Sequence, residues 1–169
     1  MNREIKERTK WFMDARFGMF IHWGLYSIPA CGEWVMSQKE MTIEEYRKYF
    51  EQFDPVDYDP KTWVRLAKEA GMKYVVLTAK HHDGFCIWNS KHTEYDVEST
   101  SYASKNYNGL GGDVLAEISA ACTKYDVDMG LYLSPWDIHD DSYGYKDKDG
   151  KALVRLVTVS YTHLRAHET

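Results

Sequence analysis

Three short segments bring together residue types that could grip a ligand rich in hydroxyls: His22-Trp23, Glu33-Trp34 and Lys80-His81-His82-Asp83. Neutral imidazoles and a carboxylate can hydrogen-bond several hydroxyls, while indole offers an apolar platform to the C–H face of a sugar ring. Other readings compete for each segment. His22 taken alone fits a satisfied buried histidine, and Glu33-Trp34 fits a solvated loop. His81 and His82 are neighbours, so on a regular strand they point to opposite faces; a turn at the strand end would let both enter one cleft. A zinc site would draw on His22, on His81 or His82, and on Asp83. Adjacent histidines, however, lack the i, i+4 or H-x-H spacing usual for two ligands on one element.

Local patterns show which elements must carry these residues. FGMFIHWG (17–24), KYVVLTAKHH (73–82) and MGLYLSPW (129–136) are short apolar runs that read as buried strands, the last cut by Pro135. Helices are predicted over 2–15, over 42–53, over 60–70 and from Asp113 through DVLAEISAACTKY. Thr42 with Glu45 three residues on is a capping box, and Ile43, Tyr46, Tyr49, Phe50 and Phe53 share one helical face. Pro60 stands in a first helical turn, and Gly71 stands where helices commonly end. Residues 25–38 and 83–108 read as loops.

Helix, glycine and strand in that order close a βαβ unit, so the three strands form a parallel sheet. They start roughly 50 residues apart, above the ~30 of a minimal unit, which means elaborated loops. Each strand ends in polar and aromatic residues: His22 and Trp23, His81 and His82, Ser134 and Trp136. Strand ends are where a (β/α)8 barrel or a doubly wound sheet binds its ligands. Neither G-x-G-x-x-G nor G-x-x-x-x-G-K-[ST] occurs, which removes support for dinucleotide and phosphate binding. A barrel needs eight strands and about 250 residues. The reading is therefore an α/β chain holding about three of eight strands of a partial TIM (β/α)8 barrel, within residues 1–150.

Composition narrows the partners. The 169 residues carry 21 Lys+Arg against 26 Asp+Glu, a net charge of −5 with no basic run, so neither nucleic acid nor an anionic membrane is expected as a partner. No apolar stretch reaches the roughly 20 residues of a membrane span. The first ten residues, MNREIKERTK, lack the apolar core of a secretory signal, and a cytoplasmic location is the expectation. Three widely spaced cysteines (Cys31, Cys86, Cys122) indicate neither a disulfide framework nor a metal knuckle. Aromatic residues make up 15%, enough for a Trp-rich core or for a sugar-binding cleft.

From residue 151 the βα pattern lapses, and 151–169 reads as an aberrant tail. VSYTHLRAHET (159–169) resembles one reading frame of a transposase adapter used in sequencing libraries. It is set aside as a fusion scar would be, and with it the His163/His167 pair whose spacing could suit a metal.

RFGMFIHWGLYSIPACGEW, YVVLTAKHHDGFCIWNSKHTEYDV and GLYLSPWD together resemble the α-L-fucosidases of glycoside hydrolase family 29, from about Trp11 to about Tyr145. GLYLSPWD, preceded by NGLGGDVLAEISAAC, looks more like the branch that prefers α-1,3/1,4-linked fucose. The resemblance implies a retaining exo-α-L-fucosidase acting on fucosylated oligosaccharides or glycoconjugates, with no cofactor and no metal. It implies that His22, Trp23, Glu33, Trp34, His81 and His82 bind the fucose hydroxyls and ring face, with Tyr132 assisting near the nucleophile. A retaining pair of carboxyl groups stands about 5–5.5 Å apart. In the family the nucleophile Asp lies at the end of the fourth strand, in a WFDG-like segment absent here, and the acid/base lies farther on. Asp137, Asp140 and Asp141 follow the third strand and are not that nucleophile. Residues 1–169 are therefore expected to be inactive alone. The alternatives are a non-catalytic fucose-binding fragment and a metal-dependent barrel hydrolase using His22, His81 and Asp83.

Overall fold

A computed structural model describes residues 3–102 and 112–140. In chain order the elements are α1 (Arg3–Ala15), β1 (Gly18–Ile21), α2 (Val35–Gln38), α3 (Ile43–Glu51), α4 (Pro60–Glu69), β2 (Tyr74–Lys80), α5 (Val114–Tyr125) and β3 (Asp128–Leu133). Single 3-10 turns at Leu25–Ser27 and Val97–Ser99 shape the long connections. The three strands form one parallel sheet in the order β1-β2-β3, with Gly18 beside Tyr74 and Tyr74 beside Asp128.

Local chemistry explains the helix boundaries. At α3, Thr42 Oγ1 accepts from the Glu45 amide at 3.2 Å and the Thr42 amide donates to Glu45 Oε2 at 2.8 Å, the reciprocal box read from the sequence. At α4, Asp59 accepts from the Thr62 amide at 3.1 Å and Pro60 occupies the first position. Gly71 follows that helix at φ +82, the left-handed conformation that a glycine adopts without steric cost. Asp113 caps α5 by accepting from the Ala116 amide at 2.9 Å.

The strands are shorter than the apolar runs suggest. His22 and Trp23 lie beyond β1, and His81 and His82 lie beyond β2. Pairing ends where the chain leaves the ladder: a register irregularity falls between Thr78 and Lys80, and the Gly84 amide donates back to the His81 carbonyl at 3.1 Å in a turn. The 25–38 stretch, read as a loop, contains α2, because Val35 and Met36 bury on the core.

Central β2 supplies the middle of the core. Its Val75, Leu77 and Ala79 are fully buried and cluster with Val64 and Ala67 of α4 and Val114, Ile118 and Ala121 of α5. The outer strands differ. Phe20 of β1 is 52% exposed, β3 has no buried residue, and among the described residues each is paired on one side only. Unpaired strand edges are templates for further strands. The aromatic surplus is divided: Trp88 lies in the core, whereas Trp34 and Trp136 stand partly exposed beyond the strands. No helix among the described residues is long and apolar enough to cross a membrane. The tail beyond Asp140, with Asp141, His163 and His167, lies outside the described residues.

One charged pair sits under the strand ends. Lys80, 1% exposed, places its ammonium 2.7 Å from Asp137 Oδ2. Gly84, at φ +83, passes so close that a Cβ there would collide with the Asp137 carboxylate. Removing one partner of a buried pair leaves the other charge uncompensated, which typically costs 3–5 kcal/mol. Asp137→Asn is accordingly expected to destabilise the chain by about 3 kcal/mol or more in urea unfolding, while Lys80→Met combined with Asp137→Leu recovers most of that loss. Thr42→Ala, which removes the α3 cap, is expected to cost about 1 kcal/mol in the same assay.

Candidate functional site

The strand exits converge because parallel strands end on one side. His22 follows β1, His81 and His82 follow β2, and Tyr132 lies near the end of β3. Their rings meet: the centroid separations are 5.8 Å for His22–His81, 6.0 Å for His22–Tyr132, 5.9 Å for His81–Tyr132 and 4.5 Å for His81–His82. Trp34 comes from the connection after β1 and lies 4.5 Å from His82 and 5.8 Å from His81. Trp136 completes the rim, 5.2 Å from His82 and 6.3 Å from Trp34. The turn at the end of β2 thus brings both adjacent histidines to one cluster.

Hydroxyl groups tie the exits together. Thr78 Oγ1 of β2 donates to the Trp23 carbonyl at 2.8 Å and accepts from the Trp23 amide at 3.0 Å. Its one hydrogen is then used, so the Tyr26 phenol 3.0 Å away donates to it. Between β2 and β3, the Ser134 amide donates to the Lys80 carbonyl at 2.9 Å and the Ile138 amide to the His82 carbonyl at 2.8 Å. Ser134 Oγ stands 2.6 Å from His82 Nδ1.

Burial sets the protonation of the site. His81 is pushed down to about 4, first by desolvation and then by the neighbouring His82 and His22, with Glu33 pulling weakly upward. His82 is also lowered, again chiefly by burial, against an opposing contribution from the Trp136 backbone. Both imidazoles are therefore neutral near pH 7 and can serve as hydrogen-bonding groups without net charge. The His81 Nδ1 is buried with no hydrogen-bonding partner among the described residues.

Two of the sequence-selected residues sit differently. Trp23 turns away from the imidazoles and stacks on Tyr58 at 5.1 Å, with Trp63 edge-on at 5.6 Å and Phe53 at 5.7 Å. Its apolar ring finds more partners in that cluster than at the rim, so Trp23 holds the β1 exit in place. Asp83 is buried beneath the rim, accepting from the Tyr46 phenol at 3.0 Å and the Phe85 amide at 3.2 Å. Burial raises its carboxyl to about 6. That commitment removes Asp83 from a zinc set with His22 and His81, and among the described residues no three His, Cys, Asp or Glu side chains form a metal-binding group. Tyr26, 5.2 Å from His81, was not selected from the sequence, and neither was the Lys80–Asp137 pair. A lysine inside an apolar strand was the available signal for that pair, since lysine is almost never buried unpaired.

The arrangement is an aromatic-walled cluster with hydrogen-bonding nitrogens. A family model described as Alpha-L-fucosidase matches residues 2–163. Alpha-L-fucosidase 1 of Arabidopsis thaliana is 37% identical over 138 residues, which are 82% of this chain and 24% of that protein. Alpha-L-fucosidase isoenzyme 1 of Paenibacillus thiaminolyticus superimposes with a TM-score of 0.75 at 47% identity, covering 82% of this chain and 31% of that one. An α-L-fucosidase of Lactobacillus casei, solved in complex with its α-L-fucose product, gives a TM-score of 0.70 at 37% identity over 79% of this chain and 42% of that one. The chain spans about a quarter of the length of the Arabidopsis relative. On sequence and on structure alike, the chain belongs to the α-L-fucosidase family.

Proposed function

We propose that the convergent cluster is the fucose-ring subsite of a retaining exo-α-L-fucosidase acting on terminal α-L-fucose of glycans. The supporting observation is the meeting of His22, Trp34, His81, His82 and Tyr132 from three strand ends, with ring centroids 4.5–6.0 Å apart between contacting pairs. In this reading His22, His81 and His82 share the sugar hydroxyls with Glu33, whose charge reaches His81. Trp34, with Trp136 beside it, faces the apolar side of the ring. Tyr132 stands next to the position of the attacking carboxylate. The solved Lactobacillus casei relative holds α-L-fucose, the ligand class this subsite would take.

The three strands are proposed as the first three of a (β/α)8 barrel, with fucosylated oligosaccharides or glycoconjugates as substrates. Retaining hydrolysis needs one carboxylate to attack the anomeric carbon and a second, about 5–5.5 Å away, to protonate the leaving oxygen. Two described carboxylates close to the strand ends do other work. Asp137 is locked on Lys80, and Asp83 is buried on Tyr46. We assign both reacting carboxylates to residues outside 1–169, so that this stretch by itself binds fucose without cleaving fucosides.

Calorimetric titration of the folded chain with L-fucose should show binding, and Trp34→Ala should weaken it by about fivefold or more through the lost ring contact. No heat from a chain that circular dichroism shows to be folded would overturn the subsite. Affinity should fall as the pH approaches 4. A proton on His81 there puts a charge into a desolvated site and removes its acceptor nitrogen. Turnover of an aryl α-L-fucoside by this chain, lost on Asp137→Ala, would contradict the assignment of the carboxylates.

A further inference from the structure

We propose that a second cleft, formed by α3, the loop after β2 and His139 after β3, is a saccharide site for a neutral hexose or N-acetylhexosamine residue of a glycan. The inference rests on the fucose-subsite reading for the presence of a glycan, though not for the chemistry of the cleft.

The cleft encloses about 380 Å³, within the range of small-ligand pockets, and no residue of the rim cluster lines it. One wall is aromatic. Phe50 stacks on Tyr95 at 5.0 Å, and Tyr95 stacks on His139 at 3.9 Å with the ring planes 3° apart. Such a wall suits the apolar C–H groups of a pyranose. Arg47, Glu94 and Thr93 line the same space. Arg47 meets Glu51 at 3.5 Å across an exposed helix turn, a contact worth little, so its guanidinium keeps donors for a ligand. Thr93 Oγ1 accepts from the Tyr95 amide at 3.0 Å and retains its own hydrogen to donate. Arg47 and Glu94 offset each other in charge. Donors and acceptors in that balance fit hydroxyls and an acetamido group better than a phosphate or carboxylate.

The loop side of the cleft is fixed by its own buried bonds. Asp96, 2% exposed, accepts from the Ser90 amide at 2.8 Å and the Ser99 amide at 3.1 Å. The Tyr95 carbonyl accepts from the Cys86 amide at 3.1 Å. A wall held in this way loses little freedom when a ligand arrives. The His139 side is tied as well, its amide donating to Asp137 Oδ1 at 3.0 Å. Its neighbour Ile138 donates to the His82 carbonyl at 2.8 Å, so the cleft and the fucose subsite share one backbone segment.

The test is titration of the 15N-labelled full chain with N-acetyllactosamine, a disaccharide without fucose, followed in 1H–15N spectra. The expected result is saturable shifts centred on the amides of Thr93, Glu94, Tyr95 and His139, with a Kd on the order of 1 mM. Arg47→Ala and Glu94→Gln, both surface changes, should each weaken this binding about fivefold and leave L-fucose affinity unchanged within about twofold. A folded chain with no saturable shift overturns the proposal, and so do shifts centred on His81 and His82. Disaccharide affinity unchanged in both variants overturns it too. Saturable shifts with inorganic phosphate and none with the disaccharide overturn the ligand class. The two sites fail separately. Disaccharide binding without L-fucose binding sinks the fucose subsite and leaves the cleft standing, and the reverse result sinks the cleft alone.

Discussion

Parallel pairing on a single central strand is the constraint from which the rim follows. With β1 and β3 both hydrogen-bonded to β2 in the same direction, their carboxyl ends are forced to one edge. Segments separated by more than fifty residues then leave the sheet side by side. The chain departs early, before His22 and before His81, so these side chains are freed from strict alternation. Two buried hydroxyls hold the departures together: Thr78 pins the β1 exit to β2, and Ser134 pins the β3 exit to His82. Each donates its hydrogen to a backbone carbonyl and accepts from the amide of that same residue.

Beneath the rim lies a charged layer that is costly to bury and restrictive once buried. The Lys80 ammonium and Asp137 carboxylate face each other in the interior, with Asp83 close enough that its carboxyl is raised partly by Asp137. Such a pair contributes little net stability compared with apolar packing, but it tolerates few alternative arrangements. Here it links the last residue of β2 to the residue after Trp136, while Gly84 leaves room for the Asp137 carboxylate to approach. The turn carrying His81 and His82 and the segment carrying Trp136 therefore share one geometry.

Much of this was legible in the residues. Thr42 with Glu45, Pro60 and Gly71 are local signals whose chemistry needs no distant partner, and each appears where its pattern put it. The apolar runs gave three strands and their parallel order, although their ends ran two or three residues too long. Apolar character continues through Trp23 and Trp136, whereas ladder hydrogen bonding stops earlier. Trp23 and Asp83 show the converse. Both stand in motifs that hold site residues, yet one packs on Tyr58 and Trp63 and the other accepts from Tyr46, partners that lie far off in sequence.

By itself the sequence determined the order of the strands and longer helices, the α3 cap and the chemical character of the strand ends, because propensity, periodicity and capping act over a few residues. Its motifs also determined the family. Tertiary structure alone decided which of two adjacent histidines is nearly sealed from water, that both reach one cluster, and that Asp137 answers Lys80. Those outcomes depend on burial and on distances between segments fifty residues apart, and neither is encoded in any local window.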